Sequence, residues 1–265
     1  MINLPKFVDP RGNLSFIEHG LRGVCPFEMG SVSWVYDVPA GSPPWPLPPE
    51  DFPRLVIAIS GSFDVVVGTS CTRLSRSDRA ILIPPHTSDC ALHDFATNSV
   101  ALSISAEHSA PYVPAADDGL AHASSNIADV RTLTLPRLRS DFGSVSVADP
   151  ADPSIPFPIH RVFYLFDVPA DAERGGHSHH TARELIIALS GSFDVVLSDG
   201  LNAPRRFSLN RPYYALYVPT GLWRTLDNFS GGAVCMVLTS ERYSEEDYVR
   251  SHPLFLSLTA SKTWK

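Results

Sequence analysis

The sequence predicts an all-β chain of two tandem domains, each a barrel or sandwich of short strands. Three observations point there. A seven-residue stretch, SGSFDVV, occurs at Ser60–Val66 and again unchanged at Ser190–Val196. Apolar runs are short and bounded by turn residues, with 24 prolines and 16 glycines among 265 residues. That pattern suits many strands and turns better than a helical bundle. Further matches keep the same register: Asp37–Ala40 (DVPA) repeats as Asp167–Ala170, and Pro26-Phe27 as Pro156-Phe157. Internal repeats of this kind mark a duplicated unit.

The offset between the copies is 130 residues through the shared motif (190 − 60) and 134 beyond it, where Phe95 meets Phe229 (229 − 95) and Glu107 meets Glu241. The second copy therefore gains about four residues, placed at the turn-rich stretch Asp199–Pro204. The expected division is residues 1–115, a linker over 116–130, and residues 131–265. The linker is small and polar around Ala115–Ser125. Expected strands in the first copy are Leu14–Glu18, Val32–Val38, Arg54–Ser60, Ser62–Val67, Ala80–Ile83 and Val100–Ser105. In the second they are Arg161–Val168, Glu184–Leu189, Ser192–Leu197, Tyr214–Val218 and Val234–Thr239. The one expected helix is Ser244–Ser251, with Ser244 as its cap and acidic residues in its first turn.

A chain of this length buries a core in each half. The formal charge of −7 argues against an extended nucleic-acid surface, while leaving room for a local basic pocket. Cys25, Cys71, Cys90 and Cys235 have no C-x-x-C spacing, so structural zinc is not expected and disulfides are not required. The N-terminus carries no apolar signal segment, and no apolar run approaches the ~18 residues of a membrane span. The expected location is the cytoplasm.

The chemistry gathers in the second copy, at Arg174–His180 (RGGHSHH). His177 and His179, two apart on an extended segment, point to one side. Such a pair moves protons or holds a metal. In the first copy the offset of 130 sets Pro44, Trp45 and Pro46 against Arg174, Gly175 and Gly176. Leu47 meets His177, Pro49 meets His179, Arg54 meets Glu184 and Trp34 meets Tyr164. Every candidate reactive group is replaced there, which leaves one site per chain.

The spacing from His177 through His179 and Glu184 to Gly191 resembles the first cupin motif. Pro219–Asn228 (PTGLWRTLDN) resembles the second, with Arg224 where a metal-binding histidine usually stands. Arginine does not ligate metals. His177, His179 and Glu184 alone would be a set for Fe(II) or Zn. Arg161–Phe166, Arg174–His179, Trp223-Arg224 and Tyr243–Arg250 together resemble the sugar 3,4-ketoisomerases, WxcM-like cupins acting on dTDP-4-keto-6-deoxyglucose. Members usually carry Gln at the position of Glu184.

The resemblance implies two tandem cupin (jelly-roll β-barrel) domains, the first degenerate. It implies no essential metal or cofactor, and a keto group moved from C4 to C3 of a dTDP-linked 4-keto-6-deoxyhexose, a step toward deoxyamino sugars. By resemblance, His177 takes the C3 proton, His179 protonates C4 or shuttles a proton on the oxygens, and Tyr164 hydrogen-bonds the sugar. Arg174 and Arg224 would pair with diphosphate or sugar oxygens, and Trp223 and Glu184 would be further substrate contacts. The family motif Asp-x-Arg-Gly stands in the first copy as Asp9–Gly12, whereas the second has only Asp141-Phe142-Gly143. Family dimers exchange N-terminal strands. Here the strand after Arg11 is expected to join the second barrel and the strand after Gly143 the first. Arg11 would then serve the histidine site, in a pseudo-dimeric monomer or a homodimer.

Bland readings stand beside these. His93, His108, His160 and His180 read as satisfied polar residues, and His86 as a turn residue. Tyr164 and Trp223 also fit barrel packing, and Arg11 a solvated turn. Rival functions are a nucleotide-sugar epimerase, a metal-dependent cupin enzyme and a non-catalytic sugar-nucleotide binding protein.

Overall fold

The computed structural model describes residues 1–20, 24–106, 126–152 and 155–261. The core of the expected linker, Ala115–Ser125, and His108 lie outside them. The described residues are all-β apart from short 3₁₀ turns and one helix, and they form two compact units. No helix among them is long and apolar enough to cross a membrane.

The first unit holds a seven-stranded sheet in the order Ile2–Asn3, Arg79–Ile83, Arg54–Ser60, Val100–Ala106, Met29–Tyr36, Gly143–Ala148, Arg137–Ser140. A four-stranded sheet runs Trp45–Leu47, Cys90–His93, Phe63–Val67, Ser70–Leu74. Val56, Ala58 and Ala101 of the larger sheet share one buried cluster with Phe63, Leu74 and Leu92 of the smaller. Two antiparallel sheets thus pack face to face over an apolar core.

The second unit repeats the plan. Its larger sheet runs Arg131–Thr134, Tyr214–Val218, Glu184–Ser190, Val234–Thr239, Arg161–Phe166. Its smaller sheet has five strands: Arg205–Leu209, Phe193–Ser198, Trp223–Asp227, Arg174–His179, Tyr248–Val249.

The repeat is geometric as well as sequential. Phe63 stacks on Phe95 with ring centroids 5.2 Å apart, and Phe193 stacks on Phe229 at the same 5.2 Å. Asp37 and Asp167 both adopt positive φ, 56° and 54°, at the same turn. The four extra residues of the second copy lie where expected. The first copy turns tightly between Phe63–Val67 and Ser70–Leu74, while the second inserts a loop tied down by Asp199, which accepts from the amides of Leu201 and Asn202.

The units do not follow the linear division at residues 115 and 131. Residues 7–14 belong to the second unit and 135–155 to the first. Equivalent contacts fix both arms. Gly12 has φ +112°, and a Cβ there would fall 2.6 Å from Cγ2 of Val168. Gly143 has φ +136°, and its Cβ would fall 2.9 Å from Cγ2 of Val38. Val38 and Val168 are themselves repeat partners, 130 apart. Only glycine suits both the dihedral and the close approach.

One expectation fails. Ser244–Ser251 is not a helix. It forms a 3₁₀ turn, Glu245–Asp247, followed by strand Tyr248–Val249. Tyr248 and Val249 pair with His179 and Ser178, and that ladder outweighs the weak helical pattern. The helix lies just beyond, His252–Ser261, with Pro253 in its first turn, where proline loses no hydrogen bond.

Candidate active site

The histidine strand, Arg174–His179, pairs with Trp223–Asp227 through a bulge. Arg174 faces Leu226, Gly175 faces Thr225, and His177 faces Arg224, leaving Gly176 unpaired. The first copy has no bulge at this place: Trp45, Pro46 and Leu47 face Leu92, Ala91 and Cys90 in continuous register. A bulge bends a strand and re-aims its side chains. Gly175 and Gly176 make it possible, with φ of +87° and +69°, and a Cβ on Gly175 would fall 2.8 Å from the Arg224 carbonyl oxygen.

Beyond the bulge the imidazoles of His177 and His179 lie edge to face, centroids 5.0 Å apart. Tyr248 packs against both, at 4.9 Å and 4.4 Å. Its hydroxyl accepts from Nη1 of Arg161 at 3.3 Å, and the Arg250 guanidinium lies 4.2 Å from its ring. Both histidines are largely buried, 8% and 6% exposed.

Their surroundings differ. Among the described residues no side chain hydrogen-bonds either ring nitrogen of His177, whose polar neighbour is the Gly175 backbone. Burial lowers its pKa well below the ordinary histidine value, helped by the positive charge of Arg224 and by His179. His179 has a carboxylate at each nitrogen, hydrogen-bonded at Nδ1 and at ion-pair distance from Nε2. Nδ1 lies 2.7 Å from Oδ2 of Asp247, and Nε2 lies 3.4 Å from Oε1 of Glu184. Burial works against charge on His179, yet Asp247 and then Glu184 outweigh it and raise its pKa. Asp247 moves the opposite way: burial pushes it up, but its bonds to His179 and Thr181 bring it down to about 2. Burial thus biases His177 toward the neutral imidazole, while the carboxylates beside His179 bias that ring toward the imidazolium.

Glu184 lies under His179, clasped by Arg224 through Nε at 2.6 Å and Nη2 at 2.7 Å. Burial alone would raise the Glu184 pKa, but the guanidinium holds it down. Arg224 is 3% exposed and its guanidinium meets Glu184, to which it is the counter-ion. The donor set does not suit a divalent metal, since the carboxylate that would ligate it already faces a guanidinium. Among the described residues no three metal-ligating side chains converge.

The remaining candidates separate. Arg174 is half-buried and donates from Nη1 to the Gly12 carbonyl at 3.0 Å, with Asp9 3.7 Å away. Arg11 is exposed and forked onto Asp9. The N-terminal arm therefore places Arg11 in the unit of the histidines, beside Arg174. Trp223 alternates with Arg224 along its strand and sits on the other face, with its ring 4.8 Å from His252 and 5.6 Å from Phe255. It packs the helix and does not join the cluster. Tyr164 is fully buried with its ring against Phe166, so the tyrosine at the histidines is Tyr248. Asp247 and Tyr248 were legible only as part of a tail motif, because a strand that doubles back onto the histidines leaves no local signal.

A family model described as "FdtA: WxcM-like, C-terminal" matches the chain twice, over residues 1–113 and 128–260. The TDP-4-oxo-6-deoxy-alpha-D-glucose-3,4-oxoisomerase of Aneurinibacillus thermoaerophilus is 38% identical over 109 residues, covering 41% of this chain and 78% of that protein. The crystal structure of QdtA, a sugar 3,4-ketoisomerase from Thermoanaerobacterium thermosaccharolyticum in complex with TDP, aligns with a TM-score of 0.50 at 29% identity. That alignment covers 52% of this chain and 98% of QdtA. WlaRB, a TDP-quinovose 3,4-ketoisomerase from Campylobacter jejuni, is 37% identical over 49% of this chain and 99% of its own, with a TM-score of 0.47. A whole QdtA chain matches about half of this one, as a tandem duplication requires. With both halves matched by the same model, the chain belongs to the WxcM-like family of sugar 3,4-ketoisomerases.

Proposed function

We propose that the chain isomerises a dTDP-linked 4-keto-6-deoxyhexose, moving the carbonyl from C4 to C3. The observation that carries this reading is the adjacent pair of imidazoles, one beside two carboxylates and the other beside none, whose pKa values are pushed in opposite directions. Environments that push two neighbouring pKa values apart assign a base and an acid. His177, neutral and with no side chain holding its ring nitrogens, takes the proton from C3, which is acidic because it lies α to the C4 ketone. The C3–H electron pair becomes the C3=C4 double bond of an enediolate, and the former carbonyl electrons move onto O4. His179, cationic, faces that developing charge. O4 takes a proton from His179, which regains one from the O3 hydroxyl, and the proton held by His177 returns to C4. That leaves a hydroxyl at C4 and the ketone at C3, so the reaction balances with no redox cofactor.

Binding falls to the cations at the edge of the site. Arg174 is pre-oriented by the Gly12 carbonyl, and Arg11 lies near it. A guanidinium fork matches diphosphate oxygens. Each unit is read as a cupin jelly-roll barrel that takes its outer strand pair from the other half of the sequence. The packing of Gly12 on Val168 and of Gly143 on Val38 supports that reading. A soluble nucleotide sugar suits a cytoplasmic enzyme.

The test is NMR of the protein with dTDP-4-keto-6-deoxyglucose. The expected result is the 3-keto isomer, with deuterium entering at C4 in D2O. Label at C5 with the ketone still at C4 would make the protein an epimerase instead. His177→Asn should cut turnover by about 10²-fold or more while TDP affinity stays within a few-fold. Turnover that survives this change would remove His177 as the base.

A further inference from the structure

We infer that Asp247 is a positioning residue of this site: it holds the His179 ring in one orientation with Nδ1 donating, while Glu184, backed by Arg224, engages Nε2 from the other side. The inference rests on the ketoisomerase reading for its catalytic meaning, but its geometry stands alone. The Asp247 carboxylate is fixed before it meets His179. Oδ1 accepts from the amide of Thr181 at 2.6 Å and from its hydroxyl at 2.7 Å. Oδ2 accepts from the amide of Ala182 at 3.4 Å and meets His179 at 2.7 Å. The backbone carbonyl of Asp247 accepts from the amide of His180 at 2.9 Å. The strand that follows then pairs Tyr248 with His179. A tail segment is thus clamped over the histidine strand on both sides of the ring it orients.

Ionised carboxylates only accept hydrogen bonds, so Nδ1 donates to Asp247, while Nε2 faces a second acceptor in Glu184 at 3.4 Å. The groups facing His179 are Glu184 from one strand, Arg224 from a second, Asp247 and Tyr248 from the tail, and His177 from its own strand. In spatial order Arg224, Glu184, His179 and Asp247 form a chain of alternating charge. At the repeat offsets the first copy has Cys90, Arg54, Pro49 and Val113 in their places. All four members are gone together, and Arg54 pairs with Glu50 at 2.7 Å instead. A carboxylate serving only to fasten the tail has no reason to vanish with the histidine.

Two readouts test this in the full chain. With ¹⁵N-labelled histidine, His179 in the unaltered protein should carry protons on both nitrogens at pH 7. A single protonated nitrogen there would overturn the inference without any variant. In Asp247→Asn the His179 titration should move down by about one pH unit or more. The alkaline limb of kcat should move with it, because activity needs the protonated ring. A fastening role would lower kcat equally at every pH and leave the limb in place, which also overturns the inference. If the unaltered protein fails to isomerise the keto sugar, the function falls while the NMR titration still decides the role of Asp247.

Discussion

His177 and His179 stand two residues apart, yet no side chain holds the ring nitrogens of the first, and the second has a carboxylate at each nitrogen. The difference comes from partners distant in sequence. Glu184 and Arg224 come from neighbouring strands and Asp247 from the tail. The His-x-His spacing and its glutamate were legible because ligand-like spacing on a strand is local. The use of Arg224 was not, since a cavity position in the second motif suits a phosphate ligand and a counter-ion equally. The buried guanidinium is the counter-ion of Glu184. Arg224→Met should then destabilise the protein by about 3 kcal/mol, the penalty of leaving a buried carboxylate without its partner. The double change Glu184→Leu with Arg224→Met should recover most of that loss. Urea unfolding of the four proteins measures the coupling, and two additive losses would reject a direct pair.

At the scale of elements, strands with a repeated or strongly apolar pattern were readable. Arg54–Ser60 and Tyr214–Val218 begin and end where the pattern places them. Short strands such as Trp45–Leu47 and Tyr248–Val249 escaped, because three or two residues carry no periodicity and their pairing is non-local. The exchanged arms were inferable only from a motif split between the halves. They also give a pair of matched tests. Gly12→Ala and Gly143→Ala each force a Cβ against a valine at positive φ, and each should cost about 1–3 kcal/mol. The two should differ in function. The Gly12 carbonyl holds Arg174, so Gly12→Ala should also weaken TDP binding. Gly143→Ala strains only the first unit and should leave TDP affinity unchanged. Thermal unfolding with calorimetric TDP titration separates the effects, and equal loss of TDP affinity in both variants would sever Arg174 from the nucleotide.

For the whole molecule, duplication has produced two units of one plan and one set of reactive groups. In the first unit the corresponding place is a small pocket lined by Leu47, Pro49, Arg54 and Cys90. Arg54 donates to the Pro48 carbonyl at 2.5 Å and pairs with Glu50, and Ser105 caps Glu50 at 2.8 Å. Trp45, Pro46 and Leu47 run in continuous register, so the bulge that aims His177 is missing with the histidine itself. The first half is nonetheless retained in function, because it contributes residues 7–14, including Asp9 and Gly12, to the unit that holds the histidines. Calorimetric titration should therefore find one TDP per chain, and Arg174→Ala should weaken that single event. His177→Asn should keep it, since the imidazole acts on the sugar and the guanidinium on the phosphates. Two equivalent sites per chain would mean that the first unit also binds nucleotide, and the loss of its arginine, glycines and histidines would then need a different cause.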